Sequence, residues 1–288
     1  MARTQNDSGR AYEFAVVDYF GEKGYKLGPL ATAHSSQYES YFLSQTPSKR
    51  QEFRDSSQTF FKWFESKFGE KVSKKIDALT DNSGSVVDIF IGDPGFEVNF
   101  SLKHNHLALR HNRPHGIPER CGIKGTKTAS DYLEDVYRIE KKMRISDPAK
   151  KFRDLKDKPK WMKQINDNCK KYLELWQTQA PETVPNYFGF ITGNDRPYYK
   201  LVLNSTGTSS GSYIHEFLTS SLPKKVELSY VSNDHLQLKF DNGWTIKKRL
   251  HNASSKIGIL DMTKYDQTTD WKWDVSLVTK PSPVEYKI

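Results

Sequence analysis

Two ionisable residues in apolar surroundings carry most of the chemistry legible in this chain. Asp88 sits inside Val86-Val87-Asp88-Ile89-Phe90-Ile91, and Lys103 closes the run Phe96-Glu97-Val98-Asn99-Phe100-Ser101-Leu102-Lys103, the two runs being joined by Gly92-Asp93-Pro94-Gly95. The turn residues predict a β-hairpin. Side chains alternate along a strand, so Glu97, Asn99, Ser101 and Lys103 share one face while Val98, Phe100 and Leu102 point to the core. A carboxylate among Val87, Ile89 and Phe90 is costly to bury unless it meets a cation or a hydrogen-bond donor, and a divalent metal ion supplies the first.

Phosphodiester hydrolysis needs a positioned water, neutralisation of the scissile phosphate and help for the leaving oxygen. Mg2+ held by carboxylates, with a lysine beside it, meets these needs. An aspartate on one strand and an acid-x-lysine tripeptide on the next is a recurring nuclease arrangement, but here the acid position is Ser101. Glu97 on the same face and Glu13 near the chain start are rivals to complete the metal shell. The candidate catalytic set is therefore Asp88, Lys103, Ser101, Glu97 and Glu13, with Asp88, Glu13 and Glu97 as metal ligands. The competing reading is a metal-free ion pair between Asp88 and Lys103. His104, His106, His111 and His115 with Cys121 match no usual zinc spacing. His104-Asn105-His106 is not an HNH nuclease motif, whose residues are spread over a longer segment.

The elements that must position these residues read as α+β. Tyr12, Ala15, Val16, Tyr19 and Phe20 recur at helical spacing after the capping residues Asn6-Asp7-Ser8, predicting a helix that ends near Gly21 to Gly24. Phe53, Phe60, Phe61, Trp63, Phe64 and Phe68 predict core-facing helices from Ser48 to about Glu70, and Val72 to Leu79 extends that pattern. After the hairpin, His106 to His111 reads as a short helix stopped by Pro114, and Pro114 to Lys127 as a loop. Ser130 to Met143 and Lys150 to Trp176, broken at Pro159, read as helices covering one face of a sheet. Strands are expected at Tyr198 to Leu203, Val226 to Val231, His235 to Phe240, Trp244 to Leu250 and Trp271 to Val278, with hairpin turns at Ser232-Asn233-Asp234 and Asp241-Asn242-Gly243. Ser205 to Ser212 reads as a flexible loop. The expected division is a catalytic part over 1–180 with helical insertions and a β-rich part over 181–288, both within one compact unit.

The 288 residues, 36% apolar and 13% aromatic, can bury a sizeable core. No apolar run is long enough to cross a bilayer and the first residues lack a secretory signal, which predicts a cytoplasmic protein. Cys121 and Cys169, without a Cys-x-x-Cys partner, are expected to be free thiols. A net charge of +9 favours a polyanionic partner. Between Lys150 and Lys171, nine basic residues stand against three acidic ones, a candidate phosphate-gripping surface.

The run Phe100-Ser101-Leu102-Lys103-His104-Asn105-His106-Leu107-Ala108-Leu109-Arg110-His111-Asn112-Arg113, with Val87-Asp88-Ile89 before it, resembles the signature of the HaeIII-type restriction endonuclease family. Gly9-Arg10-Ala11-Tyr12-Glu13-Phe14 is similar to that family's opening helix. The resemblance covers about the first 115 residues, and Tyr198-Tyr199-Lys200 and Trp271-Lys272-Trp273-Asp274-Val275 fit it loosely. It implies a PD-(D/E)XK-like mixed central sheet flanked by helices. It also implies a type II restriction enzyme that cuts double-stranded DNA with Mg2+, and GGCC as the target. Asp88 would be the metal-binding acid, Ser101 the residue in the slot usually held by a carboxylate, Lys103 the catalytic lysine and Glu13 the acid of the first helix.

The leading expectation is a Mg2+-dependent restriction endonuclease of a restriction–modification system, acting on double-stranded DNA, with a palindromic target suiting a homodimer. The expected DNA contacts are Asn105, His106, Arg110, His111, Arg113, Lys124, Lys127, Arg196, Lys247, Lys248 and Arg249. The alternatives are a non-catalytic, sequence-specific DNA-binding protein on a degenerate nuclease fold and an RNA-processing nuclease with the same core.

Overall fold

The computed structural model describes residues 5–79, 86–105, 107–147, 151–193, 197–206, 209–217, 221–252, 271–280 and 285–288. Its helices are α1 (Gln5–Glu22), α2 (Pro29–Leu43), α3 (Pro47–Phe68), α4 (Ile117–Arg120), α5 (Lys127–Ser146), α6 (Lys158–Gln179) and α7 (Thr183–Thr192). The strands are β1 (Lys26–Leu27), β2 (Lys75–Ala78), β3 (Ile89–Ile91), β4 (Val98–His104), β5 (Tyr198–Thr206) and β6 (Ser209–Phe217). They continue with β7 (Val226–Ser232), β8 (His235–Phe240), β9 (Thr245–Asn252), β10 (Trp271–Thr279) and β11 (Glu285–Lys287). The protein is α+β, as its sequence pattern predicts. It divides into two compact units, Met1–Leu107 with Arg196–Thr219 and Pro283–Ile288, and Ala108–Asp195 with Ser220–Ser282. Residues beyond 180 therefore contribute to both units.

The first unit is built on a mixed seven-stranded sheet in the order β1-β2-β3-β4-β5-β6-β11. Phe100 and Leu102 of β4 turn into an aromatic core with α1 and α3, where the Phe60 and Phe100 rings lie 4.9 Å apart. Thr46 begins α3 by accepting a hydrogen bond from the Lys49 amide, ahead of Pro47. The start of α2 lacks such a local cap, and Asp77 of β2 supplies one by accepting from the Ala31 amide at 2.7 Å. α2 was hidden because its sequence, PLATAHSSQYESYFL, lacks a strong apolar stripe.

Two expectations in this unit are corrected. The helical pattern assigned to Val72 to Leu79 gives way to β2, whose Ile76 and Ala78 are buried and pair with β3. Four residues between a turn and a sheet edge gain more from strand pairing than from an isolated helical turn, which is costly to nucleate. The loop assigned to Ser205 to Ser212 is instead the adjoining ends of β5 and β6, which pair through Ser205 with Ser210 and Leu203 with Ser212, residues 207–208 lying outside the described residues.

The second unit carries the antiparallel sheet β10-β9-β8-β7, with both expected hairpin turns in place. α6 packs on β7 and β9, and Trp273 Nε1 donates to Asn166 Oδ1 of α6 at 2.9 Å. Pro159 starts α6 rather than breaking it, because a first-turn residue has no intrahelical bond to lose. The short helix expected around residues 107–111 is extended instead: Ala108 bridges to Ser276, Asn112 to Trp273, and the Leu109 amide donates to the Val275 carbonyl. β10 offers this segment backbone partners that so short a helix would leave half unsatisfied. The sheet of the first unit is covered by α1, α2 and α3, whereas α5 and α6 belong to the second unit. Among the described residues, no helix is long and apolar enough to cross a membrane.

Candidate active site

The β3–β4 hairpin forms as its sequence dictates, with Gly92 and Gly95 at positive φ in the turn, where an L side chain would be strained. Asp88 immediately precedes β3, and its amide donates to the Phe100 carbonyl, so the strand register carries it opposite Ser101. Three donors from β4 converge on one carboxylate oxygen. Ser101 Oγ, the Leu102 amide and Lys103 Nζ reach Asp88 Oδ2 at 3.2, 2.6 and 3.0 Å. The side chains of Lys103 and Asp88 are 24% and 28% exposed, so this ion pair reaches solvent at the end of the strand.

Asp88, Ser101 and Lys103 are thus brought together, while Glu97 and Glu13 have partners of their own. Glu97 lies in the hairpin turn, where it accepts from the Gly95 amide. Four residues along an extended chain separate it from Ser101, about 13 Å at the usual strand rise. Glu13 on α1 meets His34 Nδ1 of α2 at 3.3 Å. Among the described residues, no group of three His, Cys, Asp or Glu side chains is arranged to hold a metal ion.

The donor set still fits a hard cation. Oδ1 of Asp88 has no hydrogen bond among the described residues, and Mg2+ is commonly held by one or two carboxylates, retained waters and a substrate phosphate. Asn99, two residues before Ser101 on the same face, has its side-chain oxygen buried without a hydrogen-bond partner. That atom is a second hard oxygen on the face that carries Asp88.

A residue the hairpin pattern does not reveal joins this site. Lys200 of β5 pairs with Ser101 in parallel register, is only 1% exposed, and holds its Nζ 4.8 Å from the centre of the Phe217 ring. Burial pushes its ammonium down to about 7, Lys103 pushes the same way, and Asp88 opposes both. Its sequence signal is one lysine inside Tyr198-Tyr199-Lys200-Leu201-Val202-Leu203, on a strand whose neighbours in the sheet cannot be read from the chain.

The expected DNA contacts fall into distinct environments. His111, Arg113, Lys124, Lys127 and Arg249 are exposed, and Arg110 and Lys247 are half-buried. Arg110 lies over the Phe190 ring, and His111 Nδ1 sits 3.0 Å from Asp274. Burial lowers the pKa of His111 despite Asp274. Asn105 adopts a positive φ of 64° and uses Oδ1 to accept from the Ser205 amide, so its side chain closes the end of β4. Lys248 cannot contact DNA as expected: it is fully buried, because β9 turns alternate side chains inward and position 248 falls on the inner face. His106 and Arg196 lie outside the described residues. Cys121 and Cys169 are buried free thiols.

No protein-family model matches the chain. Over 321 aligned positions, covering 99% of this chain and 97% of the relative, it is 25% identical to the type II restriction enzyme HaeIII of Haemophilus aegyptius. This similarity therefore spans both units, not the hairpin alone.

Proposed function

We propose that the chain is a type II restriction endonuclease that makes Mg2+-dependent, sequence-specific double-strand cuts in DNA. The observation that carries this reading is the partly exposed Asp88–Lys103 pair on adjoining strands, supported by similarity to a type II restriction enzyme over nearly the full length. Asp88, through Oδ1, would hold the ion, and Asn99 Oδ1 lies on the same face. Mg2+ would neutralise the phosphate and acidify a bound water. Lys103, fixed by Asp88, presents its ammonium to the attacking water or to a phosphate oxygen. Ser101 and the Leu102 amide hold the carboxylate in place from below. The exposed cations Arg113, Lys124, Lys127 and Arg249 supply phosphate contacts. GGCC is the first target to test, and its two-fold symmetry suits a homodimer.

Incubating the protein with plasmid and Mg2+ and mapping the fragment ends tests the reading and yields the recognition sequence. Asp88→Ala and Lys103→Ala should each lose cleavage while retaining DNA binding in Ca2+; wild-type cutting by both variants overturns the site. Ser101 in the carboxylate slot favours a second reading, a DNA-binding protein without catalysis. That reading predicts salt-dependent binding and intact plasmid.

A further inference from the structure

We propose that Lys200 is a positioning residue that confines this site to a single divalent ion, an assignment that rests on the endonuclease reading above. Ser101 pairs with Lys200, and the β3–β4 register sets Asp88 opposite Ser101, so acid, hydroxyl and ammonium occupy one row across adjoining chains. Neighbouring strands stand about 4.8 Å apart, which lets the field of a buried lysine two chains away act on the carboxylate.

Position 101 is where a two-carboxylate site carries its second acid, and here it offers a hydroxyl that donates to Asp88. A cation occupies the next strand of the same row, held over Phe217 and closed off from solvent. An ion on the free oxygen of Asp88 meets one anion and two ammonium groups. A second ion entering between Ser101 and Lys200 would meet a cation, and at position 101 a hydroxyl in place of a carboxylate. Because Lys200 does not reach the surface, it cannot touch DNA, and it acts through the charge it places behind Asp88 and Lys103. While Lys200 is protonated, its charge takes over part of the neutralisation that a second ion supplies elsewhere.

The test uses full-length protein at about pH 6.5, where Lys200 is mostly protonated, with Ca2+ binding measured by calorimetry and Mg2+-driven cleavage measured in single turnover. The wild type should bind one Ca2+ per chain. Lys200→Met should bind it about tenfold more tightly, because a repelling charge is gone. Cleavage at saturating Mg2+ should fall about tenfold in the same variant, with DNA affinity in Ca2+ unchanged. Lys200→Arg should restore the wild-type values. Ser101→Glu should leave the count at one, and Ser101→Glu combined with Lys200→Met should raise it to two. Lys200→Gln gives the same readouts if the methionine variant does not fold. Two ions or none in the wild type, or wild-type Ca2+ affinity in both neutral variants, overturns the assignment. A wild type that binds one Ca2+ yet never cuts any DNA sinks the endonuclease reading instead.

Discussion

Among the described residues two strand lysines are buried, one in each unit, and their surroundings are opposite in kind. Lys248 on β9 is 0% exposed, donates to Tyr187 Oη and to Cys169 Sγ, and lies 3.9 Å from the centre of the Trp273 ring. Its partners are neutral acceptors and a π face, which shelter an ammonium without adding charge. Burial still lowers its pKa, and Cys169 opposes that. Lys200 also lies over a ring, but its charged neighbours include Lys103 and Asp88, and the like charge of Lys103 deepens the effect of burial. A cation satisfied by neutral groups belongs to the packing of its unit. One held beside a second cation is kept at the expense of stability, which is the mark of a working site.

The largest effect that separates the two is on folding. Lys248→Ala removes the ammonium, opens a cavity between Tyr187, Cys169 and Trp273, and leaves Tyr187 Oη with only the Asn112 bond. The expected loss is about 3–5 kcal/mol in chemical denaturation. Cleavage per folded molecule should be unchanged. A cleavage defect at full folding would erase the contrast and make Lys248 part of the site.

Lys200→Met should shift stability the other way. Replacing a buried charge with an apolar side chain of similar volume is expected to stabilise by about 1–4 kcal/mol. The pH dependence follows from the lowered ammonium. Lys200 titrates near 7 in the fold and at the ordinary 10.5 when unfolded, so between these values the unfolded chain binds the extra proton and wild-type stability rises with pH. The advantage of the methionine variant is therefore greatest below about pH 7 and fades towards 10.5. Urea denaturation of both proteins at pH 6 and pH 9 measures it, and a constant difference would mean that Lys200 keeps its proton in the fold across this range, its pKa not lowered.

The sequence exposes the half of the site that lies on contiguous chain. Asp88, Ser101 and Lys103 are joined by a four-residue turn, so alternation and turn chemistry alone put them together. Lys200 arrives 97 residues after Lys103 through a parallel pairing, and nothing local in Tyr198 to Leu203 says which strand it will lie beside. The same limit hid β2, four residues that become a strand only because β3 is there to pair with. The misplacement of Lys248 has a smaller cause. Thr245-Ile246-Lys247-Lys248-Arg249-Leu250 presents three cations in a row, and the pattern marks a basic surface without saying which of the three alternation sends inward. Helices with dense aromatic spacing, α1 and α3, were legible because their core contacts lie within their own periodicity.

The smallest expected effect lies one residue from the largest. Lys247 and Arg249 flank Lys248 but point to the other face of β9, where Arg249 is exposed and pairs across the strand with Asp274. Asp274 is already held by His251 at 2.8 Å and His111 at 3.0 Å. Burial pushes its carboxyl up, but the His251 contact and the nearby cations outweigh this and keep it below the usual range. Arg249→Ala therefore orphans no buried charge, and neither it nor Lys247→Ala should change stability by more than about 0.5 kcal/mol. If this face contacts the DNA backbone, each substitution lowers the salt dependence of binding by about one unit of slope and weakens all sequences alike. Fluorescence anisotropy over a salt series measures that slope. A change confined to one base sequence would instead mean that these side chains read base edges, and an unaltered slope would remove this face from the interface.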